Sequence, residues 1–137
     1  MAASYREPGG ELMQVVRIYT GEDGESHIED MDLPFEQMGH AMRTALEDAT
    51  GVQFSRLKPT QLVDFHTAPR RQYVITLQGQ VEIGIGDGTK RIFNVGDVEL
   101  CEDLTGRGHT TRSVGDVDRV SVQIPLADQT PGGGLDV

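Results

Sequence analysis

The chain has 137 residues, enough for one domain with its own core. Its formal net charge of -10 argues against a nucleic-acid surface and against an anionic membrane surface, both of which need Lys and Arg. No apolar run approaches the roughly 20 residues of a membrane span, and the start "MAASYREPGGELM" lacks the apolar centre of a secretory signal, so the expectation is a soluble cytoplasmic protein.

In chain order, residues 1–11 are polar and rich in Gly and Pro, and are expected to be loosely ordered. "LMQVVRIYTG" reads as a strand, and "GEDGESHIEDMDL" as a turn and a short strand that leaves His27 near the surface. From Pro34 to Thr50 the apolar residues Phe35, Met38, Met42, Ala45, Leu46 and Ala49 fall at intervals of three and four. That spacing, with Pro34 at the start and Gly51 after the end, predicts a helix near residues 34–50 that closes one side of the β structure. His40 lies off its apolar stripe and is expected to be solvated.

Beyond Gly51, short apolar runs alternate with turn signals every 8–12 residues, as in an all-β sandwich or barrel. Asp87-Gly88 between two such runs is a hairpin signal. Val81, Ile83 and Ile85 alternate with Glu82, Gly84 and Gly86, and Val120, Val122 and Ile124 repeat the pattern of a strand with one buried face. Cys101, the single cysteine, excludes an intrachain disulfide and a cysteine-rich zinc site; it is expected as a small buried strand residue. Residues 127–137 are again polar and Gly/Pro-rich, so the expected domain is 12–126 with loosely ordered tails.

Two stretches carry the chemistry: "FHTAPRRQYVITLQG" from Phe65 to Gly79, and "GDVELCEDLTGRGHTTRSVGD" from Gly96 to Asp116. Together they resemble the cupin family, whose barrels hold one divalent metal with three histidines and a glutamate. His66 falls at the first histidine position of the first motif and Ala68 at the second. Gln72, six residues before Gly79, stands at the glutamate position. In the second motif Gly106 and Gly108 precede His109 at the histidine position. Leu104 stands for the usual Pro, Ser113 for the usual Asn, and the spacing from Gly96 is two residues longer than the family pattern. The match runs over residues 60–126, about half the chain.

The resemblance implies an all-β, cupin-type jelly-roll β-barrel with the helical insertion added, and pairing into a homodimer. It implies a metal site of His66, Gln72 and His109 for one divalent transition metal: iron, zinc, nickel, manganese or copper. Asp64 lies two residues before His66, so on a regular strand it shares that side as a ligand, an orienting partner or a general base; a bulge would instead expose it. The Glu102-Asp103 pair is a further source of metal ligands, and Asp103 is also a substrate-binding candidate. Arg71 or Arg112 is placed to hold a carboxylate, although Arg70 and Arg71 also suit surface ion pairs. Thr111, on the His109 side, offers a hydroxyl to a ligand.

Two functions remain open at this point. One is a metal-dependent enzyme, a lyase, isomerase or oxygenase, acting on a small oxygenated or carboxylate-bearing substrate with Asp64 and Arg71 as catalytic candidates. The other is a non-catalytic cupin that binds a small anionic ligand, with His66 and His109 as a hydrogen-bonded pair in a metal-free pocket and Gln72 as a simple polar wall. No P-loop, dinucleotide fingerprint or nucleophile elbow is present.

Overall fold

The computed structural model describes residues 12–133, so the expectation of loose order for residues 1–11 and 134–137 lies outside the described residues. The strands are β1 (Leu12–Thr20), β2 (Ser26–Pro34), β3 (Glu36–Met38), β4 (Ala41–Arg43), β5 (Gln53–Leu57), β6 (Leu62–His66), β7 (Gln72–Gln78), β8 (Gln80–Gly84), β9 (Lys90–Phe93), β10 (Val98–Glu102), β11 (His109–Val114) and β12 (Arg119–Pro125). A six-stranded sheet runs β2-β1-β10-β7-β12-β5, and a four-stranded sheet runs β6-β11-β8-β9. Within them, β5-β12-β7-β10 and β6-β11-β8-β9 follow the strand order of a jelly roll. β1 adds to the edge of β10 in parallel, and β2 folds back antiparallel on β1.

Alternation along each strand sends side chains to both faces of the long sheet. Val16 and Ile18 of β1 pack with Val81, Ile83 and Phe93 between the two sheets. Val15, from the other face of β1, packs with Met31, Val98, Leu100 and Leu126. Where the sequence alternation selects Val120, Val122 and Ile124 as the buried face of β12, the most buried residues are Arg119, Ser121 and Gln123, at 8%, 1% and 8% exposure. This strand is polar toward the interior and apolar toward the outside.

The helix expected near residues 34–50 does not form; no helix occurs among the described residues. β3 and β4 instead pair as a hairpin across Gly39 and His40. Gly39 has φ +64°, a left-handed conformation that turns the chain. The apolar stripe finds no surface to bury against: Met38, Met42 and Leu46 are 48%, 40% and 96% exposed. Helical stability comes mainly from burial of such a stripe, so the hairpin is preferred. The segment is tied back by Ala49 bridging Leu126, by the amide of Thr50 donating to the Pro125 carbonyl, and by the Tyr73 hydroxyl donating to Glu47 Oε2 at 2.5 Å. No described helix is long and apolar enough to cross a membrane.

On the outer face, Arg71 is almost fully buried and donates from Nε to Glu102 Oε2 at 2.5 Å. Arg17 donates to the other Glu102 oxygen, and the amide of Gly132 donates to Oε2 at 2.7 Å. Residues 128–133 lie across this pair. Arg71 donates to the carbonyls of Asp128 and Gly133, and the Gln129 amide bonds both the N–H and the C=O of Arg71.

Burial alone would raise the Glu102 pKa, but the hydrogen bonds from Arg17, Arg71 and Gly132 outweigh it and lower it. A depressed folded-state pKa gives stability that is complete above the ordinary carboxylate range and is lost as pH falls through the depressed value. Glu102→Gln is therefore predicted to cost about 3–5 kcal/mol at pH 7, by leaving the buried Arg71 cation without its carboxylate. Its stability should then change less than the parent's between pH 5 and pH 2. Urea unfolding of both proteins across that range checks this.

Candidate functional site

A cavity of about 120 Å³ lies between the two sheets. The long sheet contributes Gln72 and Val74 from β7, Glu99 and Cys101 from β10, and Arg119 and Gln123 from β12. The facing side contributes His66 from β6, Ile83 from β8, and His109 and Thr111 from β11, with Ala68 and Pro69 beside them.

The two histidines define the site. His109 pairs with His66 across β11 and β6, and their rings lie 4.6 Å apart at 58°. His66 Nδ1 is 2.7 Å from the carbonyl oxygen of Asp64, which can only accept, so Nδ1 carries the proton. His109 Nδ1 donates to Asp103 Oδ2 at 2.5 Å. Asp103 is fully buried, and the same oxygen accepts from Ser26 Oγ at 2.7 Å. Both rings are thus held by Nδ1, and both Nε2 atoms are left basic. Neither Nε2 has a hydrogen-bond partner among the described residues. A carboxylate on Nδ1 fixes the tautomer and balances the charge that Nε2 gains on taking a proton.

The local backbone makes this pairing possible. Between His109↔His66 and Thr111↔Val63, β6 uses one more residue than β11, which is a bulge at Asp64 and Phe65. The bulge breaks the alternation that would put Asp64 beside His66. Asp64 is exposed, and its carboxylate accepts from the Phe65 amide at 2.8 Å, so only its backbone carbonyl serves the site. Gly108 has φ +81°, and a Cβ there would fall 1.9 Å from the His66 carbonyl oxygen. Only glycine lets β11 begin against His66.

The remaining candidates sort by face. Gln72 lines the cavity, and its Oε1 accepts from Arg70 Nε at 3.0 Å, which leaves its NH₂ as a donor. Thr111 lines the cavity, half-buried. Asp103 sits behind His109 and acts through it. Arg71 belongs to the opposite face, with Glu102. Arg112 is exposed and forks onto Glu82 at 3.1 and 3.3 Å, away from the cavity.

Glu99, Arg119, Gln123 and Cys101 line the cavity although the sequence reading did not place them there. Their signal was the alternation of Glu99 and Cys101 with Leu100, and of Arg119, Ser121 and Gln123 with valines. It is legible only once the long sheet is known to face its polar side inward. Arg119 donates to Glu99 Oε2 at 2.9 Å. Burial raises the Glu99 pKa despite that pairing. Burial, reinforced by Glu99 and Asp103, pushes the Cys101 thiol well up, which keeps it protonated.

The donors present do not fit the metal that the resemblance implies. The Gln72 oxygen is committed to a guanidinium, Asp103 Oδ2 to His109 and Ser26, and Glu99 Oε2 to Arg119, while Asp103 Oδ1 is buried without a partner among the described residues. The Arg119 cation lines the same cavity. Among the described residues no three His, Cys, Asp or Glu side chains are grouped to hold a metal. Two imidazoles remain, with a cation and an amide donor beside them.

No protein-family profile matches the chain, and no curated protein does. Among solved structures, a Neisseria meningitidis protein is similar at 14% identity, over 60% of this chain and 83% of that one, with a TM-score of 0.44. A Streptococcus pyogenes protein of unknown function is similar at 19% identity, over 62% and 72%, with a TM-score of 0.43. The ethanolamine utilization protein Q of Salmonella typhimurium is similar at 14% identity, over 85% and 98%, with a TM-score of 0.44. These likenesses are distant, and none assigns a function to the chain.

Two glycines with similar backbone angles test the contact behind His66. Gly88 also has a positive φ, but a Cβ there meets nothing within 4 Å. Gly88→Ala is predicted to cost about 1 kcal/mol from backbone strain alone. Gly108→Ala should cost clearly more and should displace His66. Urea unfolding of the two variants side by side checks the difference.

Proposed function

We propose that the chain is a cupin-type protein that catalyses proton transfer on a small oxygen-bearing organic molecule held between His66 and His109. The motif spacing supports the cupin assignment. The observation that carries the chemistry is the anchoring of both imidazoles through Nδ1, with both Nε2 atoms unpartnered at one polar cavity.

The reading is that of a general acid–base pair. The two rings lie 4.6 Å apart, close enough for one to act as the base and the other as the acid on the same small molecule. His109, backed by the buried Asp103, takes a proton from a carbon next to a carbonyl. The electron pair of that C–H bond moves into a new C=C bond, and the carbonyl becomes an enolate oxygen. The Gln72 NH₂ donates a hydrogen bond to that oxygen. Protonated His66 returns a proton to oxygen or to the neighbouring carbon, which completes an isomerisation; loss of a leaving group from the same intermediate completes an elimination. Isomerase or lyase chemistry therefore follows from the chain's own residues.

The test is proton-deuterium exchange followed by NMR in D₂O, with pyruvate and dihydroxyacetone as probes and protein passed over a chelating resin. Exchange above background is expected with at least one probe. It should fall by about 10²-fold or more in His109→Gln, and by less in Asp103→Asn, which keeps the base but loses its buried counter-charge. Exchange that survives in His109→Gln, that appears only after a divalent metal is added, or that is absent with both probes contradicts the proposal.

A further inference from the structure

Arg119 has a donor that no described residue accepts. A guanidinium carries five N–H donors. Nη2 uses its two on Thr76 Oγ1 at 3.0 Å and Glu99 Oε2 at 2.9 Å. Nε is buried and has no partner among the described residues. The residue is only 8% exposed and lines the same cavity as the two histidines. A buried cationic N–H without an acceptor is costly to retain.

We infer that Arg119 anchors the carboxylate of a small organic acid whose carbon skeleton lies beside His66 and His109. The inference rests on the reading that the cavity holds the substrate, and it names the substrate class: a short-chain oxo or hydroxy acid. Glu99 engages Arg119 through Nη2 only, and because each two-donor fork of a guanidinium needs Nη2, a ligand carboxylate is met by a single charge-assisted hydrogen bond from one of the other nitrogens. With a volume of about 120 Å³, the cavity keeps an acid held on Arg119 close to the imidazoles. The Gln72 amide group adds a neutral donor to the same wall. Among the described residues that line the cavity, Glu99 is the carboxylate that faces Arg119, and burial raises its pKa.

The experiment is an NMR titration of the full chain, reading the arginine Nε–H signals. Arg119→Lys identifies the Arg119 signal by its loss; if that variant does not fold, Glu99→Gln identifies it by its shift. Acetate, lactate and pyruvate are the probes, with acetamide and lactamide as neutral counterparts. A saturable shift of the Arg119 signal is expected with at least one carboxylate, at a Kd at least tenfold lower than for the matched amide. No shift with any carboxylate, or an equal response to the amides, overturns the inference and leaves Arg119 solvated by water. The same titration in His109→Gln separates this claim from the catalytic one. Carboxylate binding retained there, with no exchange activity in the parent, supports the anchor and defeats the proton-transfer reading. Exchange of dihydroxyacetone without carboxylate binding does the reverse.

Discussion

A carboxylate with no exposed surface depends on what surrounds it: Oδ2 of Asp103 is met by distant parts of the chain, while Oδ1 has no hydrogen-bond partner among the described residues. Ser26 reaches Oδ2 from the start of β2 and His109 from the start of β11. The Asp103 backbone carbonyl accepts from the amide of Ala68, just beyond His66. One residue thus ties the added β1–β2 edge to both histidine-bearing segments. The orientation of His109 follows from it, and so does the direction in which Nε2 is basic. An apolar residue at this place would keep the packing and lose the tautomer.

β10 shows how one strand serves two purposes. Glu99 and Glu102 point to opposite faces of the long sheet, and each meets a buried arginine. On the outer face every nitrogen of Arg71 finds an oxygen, and residues 128–133 supply two of them. That arrangement is a brace: it fixes the chain end against the sheet and leaves nothing to bind. On the inner face Arg119 keeps a buried donor unmet. The same residue types therefore give a structural lock on one side and a receptive cavity on the other. Count of accepted donors, rather than charge, distinguishes them.

Much of this was legible in the sequence where local rules and tertiary structure agree. Asp87-Gly88 marks the tight turn between β8 and β9, with Gly88 at φ +91°. The spacing of His66 and His109 predicted their convergence, and they sit directly opposite each other. Three things were hidden. A one-residue bulge in β6 turned Asp64 outward, and no residue type announces it. The period of three and four between Phe35 and Ala49 described a helix, but Gly39 and the lack of a surface to cover the stripe favoured a hairpin. Apolar alternation in β12 was taken for the core face, whereas this sheet buries its polar side around the cavity. That inversion concealed Arg119 and Gln123.

The central claim is that both imidazoles are protonated on Nδ1 and present a bare Nε2 to the cavity. Long-range ¹H–¹⁵N correlation of the histidine side chains at pH 8, before and after one equivalent of Zn²⁺, tests it most directly. The account predicts the Nδ1–H tautomer for both His66 and His109, with signals that zinc leaves in place. An Nε2–H tautomer at His66 or His109 would contradict it, and a stoichiometric zinc-induced shift of both Nε2 signals would overturn the finding that the donors do not fit a metal.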